Sequence, residues 1–402
     1  MITSHDFMTM EDQYGAHNYK PMPVVLSHGE GAWVTDVEGK RYLDMLSAYS
    51  ALNFGHRHPR LVEVMKDQLD RITLTSRAFF SDQLGQWYKT ITELCELDLA
   101  IPMNTGAEAV ETALKIGRKW GYQTKKVPNN QAEIIVCENN FHGRTISIVS
   151  FSTEPEYSED FGPLTPGFRS VPYGDAEALE AAITPNTVAF LVEPIQGEGG
   201  VNVPPNGYLK KVREICSHNN VLLMIDEIQT GLGRTGRNFC YQHEDIQPDV
   251  LILGKALGGG LYPISAVVTR QDVLSLFQPG QHGSTFGGNP LACAVSLEAM
   301  RLLKEEKLAE RAAQMGEALA GHLRAMNSPV IQEVRGKGLL IGIEIKASVN
   351  KAKPYGMALM KEGILCKETQ DHTLRLAPSL LMTQDDLEWA LPKLTQVLSS
   401  RI

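Results

Sequence analysis

Val221–Gly231, VLLMIDEIQTG, and Val250–Gly260, VLILGKALGGG, are apolar runs that end in charged side chains, Asp226 in the first and Lys255 in the second. A strand that is apolar at successive positions has no face for water, so it belongs in a sheet covered on both sides. EIIVCE (133–138) and VAFLVEP (188–194) have the same character, and helical patterns separate the runs. This alternation predicts an α/β fold, a mostly parallel central sheet with helices on both faces. In such sheets ligands bind beyond the carboxyl ends of the strands, which would place Asp226 and Lys255 on one crevice.

Working outward, residues 31–45 alternate as a hairpin, with AWVTDV and RYLDML flanking a turn at Glu38–Gly39. From Asn289, the stretch NPLACAVSLEAMRLLKEEKLAERAAQMGEALAGHLRAM reads as one long amphipathic helix, capped by Asn289 with Pro290 in its first turn. The tail carries strand-like runs VIQEVRG, LLIGIEI and TLRLAP and a last helix, a smaller α+β domain. The expected division is an N-terminal segment and hairpin (1–50), a large domain (51–288), and a linking helix with a small C-terminal domain (289–402). A cleft between the two domains is the expected ligand site.

A chain of 402 residues, 43% apolar and 21% charged, can bury a sizeable core without disulfides or metals. The net charge of −9 and the lack of any basic block argue against nucleic acid and membrane surfaces as partners. No stretch approaches the length of a membrane span, and the first residues have neither the apolar run of a secretory signal nor a basic transit pattern. The six cysteines are scattered, with no C-x-x-C pair, as expected for a reducing cytoplasm. His56 and His58, in GHRHP, lack an acidic residue spaced to complete a metal site and read as a turn. No metal is expected.

Asp226 and Lys255 could be a plain ion pair. Gly254 before the lysine and Gly258–Gly260 after it suggest instead that something large approaches this backbone closely. The G-x-x-x-x-G spacing of a nucleotide-phosphate loop is missing. A desolvated lysine condenses with a carbonyl cofactor, and an aspartate opposite it is what the ring nitrogen of pyridoxal phosphate needs. In MNTGAEAVETALKIGRKW (103–120), Thr105 and Glu108 have capping-box spacing, and Gly106 and Ala107 open a helix whose free amides suit a phosphate. An ordinary capped helix has the same pattern. HGSTFGGNP offers Ser284 and Thr285 as further phosphate donors, or is only the turn before Asn289. Phe141, in NNFHGRT, could stack on a flat cofactor or sit in the core; His142 beside it reads as an exposed neighbour.

YGAHNYKPMP, SAYSALNFGH, MNTGAEA, NFHGRT, VEPIQGEGG, DEIQTGLGRTG, GKALGGGLYP, HGSTFGGNP and LRLAP occur in the order found in class III, fold-type I aminotransferases, and the resemblance runs from about residue 14 to the end. Within that class the chain most resembles the members that act on ornithine. The resemblance implies that Lys255 forms a Schiff base with pyridoxal phosphate and later shuttles the proton. Asp226 would pair with the ring nitrogen, Gln229 would sit against the ring 3-oxygen, and Phe141 would stack. Gly106 and Ala107 would bind phosphate in one subunit, and Thr285 would reach the phosphate of its neighbour, making a homodimer part of the site.

For the substrates, the resemblance implies that Tyr19 and Arg144 hold the α-amino and α-carboxylate end of ornithine. Arg375 would clamp the carboxylate of glutamate or 2-oxoglutarate, with Glu198 covering it when ornithine enters. Tyr49 stands where acetylornithine and 4-aminobutyrate aminotransferases usually lack a tyrosine. Those two activities on the same scaffold are the nearest alternatives, and a catalytically inactive cofactor-binding regulator is a more distant one. A nicotinamide oxidoreductase is disfavoured because no G-x-G-x-x-G opens a helix after a strand.

Overall fold

The computed structural model describes residues 2–402. Near the amino terminus β1 (Leu26–Glu30), β2 (Trp33–Asp36) and β3 (Arg41–Asp44) form an antiparallel meander. The expected hairpin is β2–β3, in which Val34 faces Tyr42 and Gly39 takes a φ of +86° in the turn.

The central sheet holds β4 (Leu99–Met103), β5 (Glu133–Cys137), β6 (Phe168–Val171), β7 (Thr187–Val192), β8 (Leu222–Asp226), β9 (Val250–Leu253) and β10 (Ser265–Thr269). Their spatial order is β4-β10-β9-β8-β7-β5-β6, parallel except for β10, which runs antiparallel to both its neighbours. The continuous apolar runs have a direct structural cause. On β8, Leu223 and Ile225 enter the core on one face of the sheet, while Leu222 and Met224 enter the core on the other. β9 divides likewise, Leu251 and Leu253 against Val250 and Ile252. Both faces are dry, so neither periodic position can be polar.

The C-terminal part has β11 (Ile331–Lys337), β12 (Leu340–Ile345), β13 (Ile364–Leu365), β14 (Lys367–Thr369) and β15 (Thr373–Leu376). β11, β12, β15 and β14 form a second antiparallel sheet in that order, whereas β13 leaves it and pairs in parallel with β3. The N-terminal meander is thereby tied to the C-terminal part, although more than three hundred residues separate them.

The single helix expected from Asn289 is two helices, Pro290–Glu305 and Leu308–Ala325. Asn289 caps the first as expected, accepting from the amide of Ala292. The break falls at Lys307, whose φ of +50° turns the chain so that Leu308 enters the core. No proline or glycine marks this corner; burial of the next apolar stripe decides it.

Candidate active site

Asp226 ends β8 and Lys255 follows β9, the adjacent parallel strand, so both emerge at the carboxyl end of the sheet. They line one cavity of about 210 Å³, with Gly106, Ala107, Phe141 and Gln229 among its other walls. The sequence reading therefore assembled one site from four separate segments.

Asp226 is 4% exposed and is held at both oxygens. Oδ1 accepts the Ile228 amide at 3.0 Å, and Oδ2 accepts His142 Nδ1 at 2.6 Å. His142 is thus not the exposed neighbour expected from sequence but a buried partner of the aspartate. Gly143, at φ +130°, turns the chain there, and the residue His142 meets is 84 positions away. Burial alone would push its imidazole down; the hydrogen bond and charge of Asp226, with Glu193 adding, carry it above the usual histidine range. Glu193 was also missed. It accepts the Phe141 amide at 3.0 Å, and burial pushes its carboxyl up to about 7, against the pull of His142. The only sequence signal for it was a carboxylate directly after an apolar strand.

Lys255 takes a φ of +43° in the turn after Gly254. Burial holds its ammonium below the usual lysine range, with Glu198 and Asp226 opposing and Arg375 reinforcing the shift. A larger free-amine fraction makes it a better nucleophile toward a carbonyl. Of the glycines around it, only Gly254 faces the site, where a Cβ would lie 3.6 Å from Gly106 Cα. A Cβ on Gly259 would meet Leu61 at 2.9 Å and one on Gly260 would meet Leu52 at 2.4 Å. That pair of glycines accommodates protein packing, not a ligand, which corrects the sequence argument for them.

At the other end of the cavity, Thr105 caps the helix Gly106–Trp120 in a complete capping box with Glu108. The amides of Gly106 and Ala107 at its first turn remain open to a ligand, where the helix dipole favours an anion.

Two arginines contact residues that line the cavity. Arg375, 1% exposed, donates from Nη1 to Glu198 Oε1 at 2.6 Å and to the Gly197 carbonyl at 3.2 Å. Its guanidinium lies 5.0 Å from the centroid of the Tyr49 ring. Glu198 also accepts Gln229 Nε2 at 3.2 Å. Burial would raise its carboxyl, but Arg375 and Lys255 outweigh that and hold it below the usual range. Tyr49 sits in a run of four residues, Ser47 to Ser50, that all have positive φ, and Asp44 caps the start of that run through the amides of Leu46 and Ser47. Arg144 is exposed and lies over two aromatic faces, 5.7 Å from Phe141 and 3.7 Å from Tyr157.

Three expected residues stand apart. Thr285 is exposed on the loop before Asn289, while Ser284 beside it is bonded to Asn104 and to the Gly287 amide. Tyr19 is 72% exposed and lines a different groove, formed by the N-terminal segment. His56 and His58 pair with separate carboxylates, Asp44 and Glu306.

The cavity fits pyridoxal phosphate. Its own polar atoms lack protein partners: His142 Nε2 and Gln229 Oε1 are buried and unbonded, as is Arg375 Nε. Asp226 and Lys255 both line it, Phe141 forms an aromatic wall, and the open amides of Gly106 and Ala107 border it.

The class-III aminotransferase family matches residues 14–398. The chain belongs to that family, whose members use pyridoxal phosphate, and its fold is the fold-type I architecture of these enzymes. Within it, the chain is similar to an ornithine aminotransferase from Bacillus cereus, 57% identical over 99% of this chain and all of the relative. It is also similar in structure to the ornithine aminotransferase of Toxoplasma gondii, with a TM-score of 0.97 and 46% identity over 99% of this chain and 95% of that one. An acetylornithine aminotransferase from Elizabethkingia anophelis superposes with a TM-score of 0.90 at 45% identity, each chain being covered to 99%.

Proposed function

We propose that the protein transfers the δ-amino group of L-ornithine to a 2-oxo acid, giving L-glutamate 5-semialdehyde and, from 2-oxoglutarate, L-glutamate. Such a reaction feeds arginine-derived nitrogen and carbon toward proline and glutamate. One observation carries the substrate reading: Arg375 is closed by Glu198 at 2.6 Å, while Arg144 pairs with no carboxylate among the described residues. An ω-amino donor needs its carboxylate held far from the reacting amine. An α-amino acid such as glutamate needs a receptor close to it. The two arginines supply one receptor each, and Glu198 neutralises the near one while ornithine is bound.

Bound pyridoxal phosphate supplies an aldehyde for the amine and a ring that draws electrons from the carbon losing its proton. Asp226, fixed by Ile228 and His142, holds a proton on the ring nitrogen. Phe141 would stack on the ring, Gln229 would stand against the ring oxygen, and Gly106 and Ala107 would hold the phosphate, all four lining the same cavity. Lys255 would hold the cofactor through its amine and, when free, would serve as the base that takes the proton from the donor carbon. Arg144 would orient ornithine, Tyr19 would reach it only by leaving the separate groove it lines, and Tyr49 lies against Arg375 where enzymes for other donors usually lack a tyrosine. Holding the breaking C–H bond perpendicular to the ring is the main service of these contacts.

Thr285, exposed next to Phe286 at 49% exposure, would complete a neighbouring subunit's phosphate site in a homodimer. Phe79 and Phe80, at 74% and 104% exposure, are apolar surface that a second copy would cover. The division into segments 1–50, 51–288 and 289–402 belongs to the same reading. So does a cytoplasmic location without nucleic-acid or membrane partners; no helix among the described residues is long and apolar enough to cross a membrane.

Borohydride reduction of the cofactor-loaded protein, followed by peptide mapping, must place the pyridoxyl label on Lys255. Rates with ornithine, N-acetylornithine and 4-aminobutyrate then decide the donor. The likeness to the Elizabethkingia enzyme keeps N-acetylornithine as the second reading, and a preference for it or for 4-aminobutyrate overturns the first.

A further inference from the structure

We infer that Tyr157, on the segment Glu154–Glu159, is a positioning residue for the donor's carboxylate: its ring lies against the Arg144 guanidinium and holds it without neutralising it. The inference rests on the ornithine reading for the identity of the donor, but its geometry is independent of it.

Arg144 is a long, exposed side chain, and an unrestrained arginine has many rotamers to lose on binding. A carboxylate partner would fix it but would also occupy its N–H donors and cancel its charge. An aromatic face does neither. The guanidinium carbon lies 3.7 Å from the Tyr157 centroid, and no carboxylate among the described residues takes its donors, so its charge stays available for a carboxylate ligand. Tyr157 is in turn held edge-on by Phe141, at 6.0 Å between centroids and an interplanar angle of 79°. Phe141 lines the cofactor cavity and is anchored through its amide to Glu193. The chain of contacts therefore fixes Arg144 relative to the cofactor plane through two aromatic rings.

Arg375 also lies over a tyrosine, Tyr49, but there Glu198 occupies Nη1. Tyrosine supports both guanidinium groups; a carboxylate closes only one. The residue in the supporting position at Arg144 is thus what leaves that receptor charged and open. Glu154 shares the segment with Tyr157, and neither it nor Glu156 or Glu159 forms an ion pair with Arg144 among the described residues.

The test measures single-turnover rate constants of the holoenzyme with ornithine and with 1,4-diaminobutane, which is ornithine without its carboxylate. The proteins are wild type, Tyr157→Leu and Tyr157→Phe. The expected result is that Tyr157→Leu lowers the ornithine to 1,4-diaminobutane ratio about tenfold, the scale of a lost cation–π contact, and that Tyr157→Phe retains most of it. The loss should appear in the substrate concentration for half-maximal rate and not in the limiting rate. An unchanged ratio in Tyr157→Leu, or an equal loss in Tyr157→Phe, overturns the proposal. The near-ultraviolet circular dichroism of the bound cofactor, unchanged in both variants, is expected as proof of an intact site; if Tyr157→Leu disturbs it, Tyr157→Phe alone decides. A wild-type enzyme that ignores ornithine would sink the donor reading instead, and the same ratio measured on 4-aminobutyrate against butylamine would still judge Tyr157.

Discussion

His142 Nδ1 lies 2.6 Å from Asp226 Oδ2, and both side chains are sealed from solvent. Each Asp226 oxygen is thereby anchored once, since Ile228 donates to Oδ1, and the carboxylate is held in one orientation against the cavity. Replacing His142 by Phe removes a hydrogen bond to a buried charge, a loss of about 1.5–3 kcal/mol. The limiting rate should fall roughly tenfold to a hundredfold, with weaker retention of pyridoxal phosphate on dialysis. His142→Gln, which keeps an N–H near Asp226, should lose less. Equal rates in wild type and His142→Phe would remove His142 from the account.

Glu198 closes Arg375 and also raises the Lys255 ammonium. Glu198→Gln keeps an acceptor for Arg375 but removes the charge. Half-reactions followed by cofactor absorbance should show the preference for ornithine over glutamate falling by about tenfold, because the near receptor is open to both. The Lys255 pKa should drop further, seen as a downward shift of the spectral titration.

Glu227 is buried beside the site, accepting Thr230 Oγ1 at 2.6 Å and the Tyr241 amide at 2.9 Å. Burial pushes its carboxyl up to about 7 despite those bonds. A carboxyl raised in the folded state binds its proton more tightly there than in the unfolded chain, so its contribution is complete below the unfolded value. It is lost as pH rises from about 4.5 through about 7. The change is on the order of 3 kcal/mol. Glu227→Gln can keep both bonds, with Nε2 donating to Thr230. Thermal denaturation should show the variant gaining on wild type at pH 8 and not at pH 4.5; a constant difference across that range would refute the assignment.

Ala48 is exposed, at φ +46°, in the middle of the positive-φ run that carries Tyr49. Left-handed backbone costs a non-glycine residue roughly 1–2 kcal/mol. Ala48→Gly should therefore raise the melting temperature slightly, by about 1–2 °C. It should also loosen Tyr49 over Arg375 and reduce discrimination among donors. A variant that is both no more stable and equally selective would mean the run is neither strained nor involved in positioning.

The strands, the capped helix at Gly106, and the meeting of Asp226 with Lys255 were legible because each rests on a local pattern: apolar continuity, a capping box, a charged residue at a strand end. Features that depend on what a distant segment brings were not. His142 looked solvent-facing because its partner lies on another strand, and the helix from Asn289 looked continuous because nothing local marks the turn at Lys307. The glycines at 259 and 260 were misread for the same reason, since Leu61 and Leu52 are what they make room for.

Sequence by itself determined the architecture and the reactive pair, because a sheet with two dry faces forces unbroken apolar strands and presents their carboxyl ends to one crevice. Tertiary structure alone decided the state of that crevice: which carboxylate closes Arg375, which ring supports Arg144, and that a histidine steadies Asp226. Those are contacts between side chains from different elements, and their distances are set by packing, which no local pattern encodes.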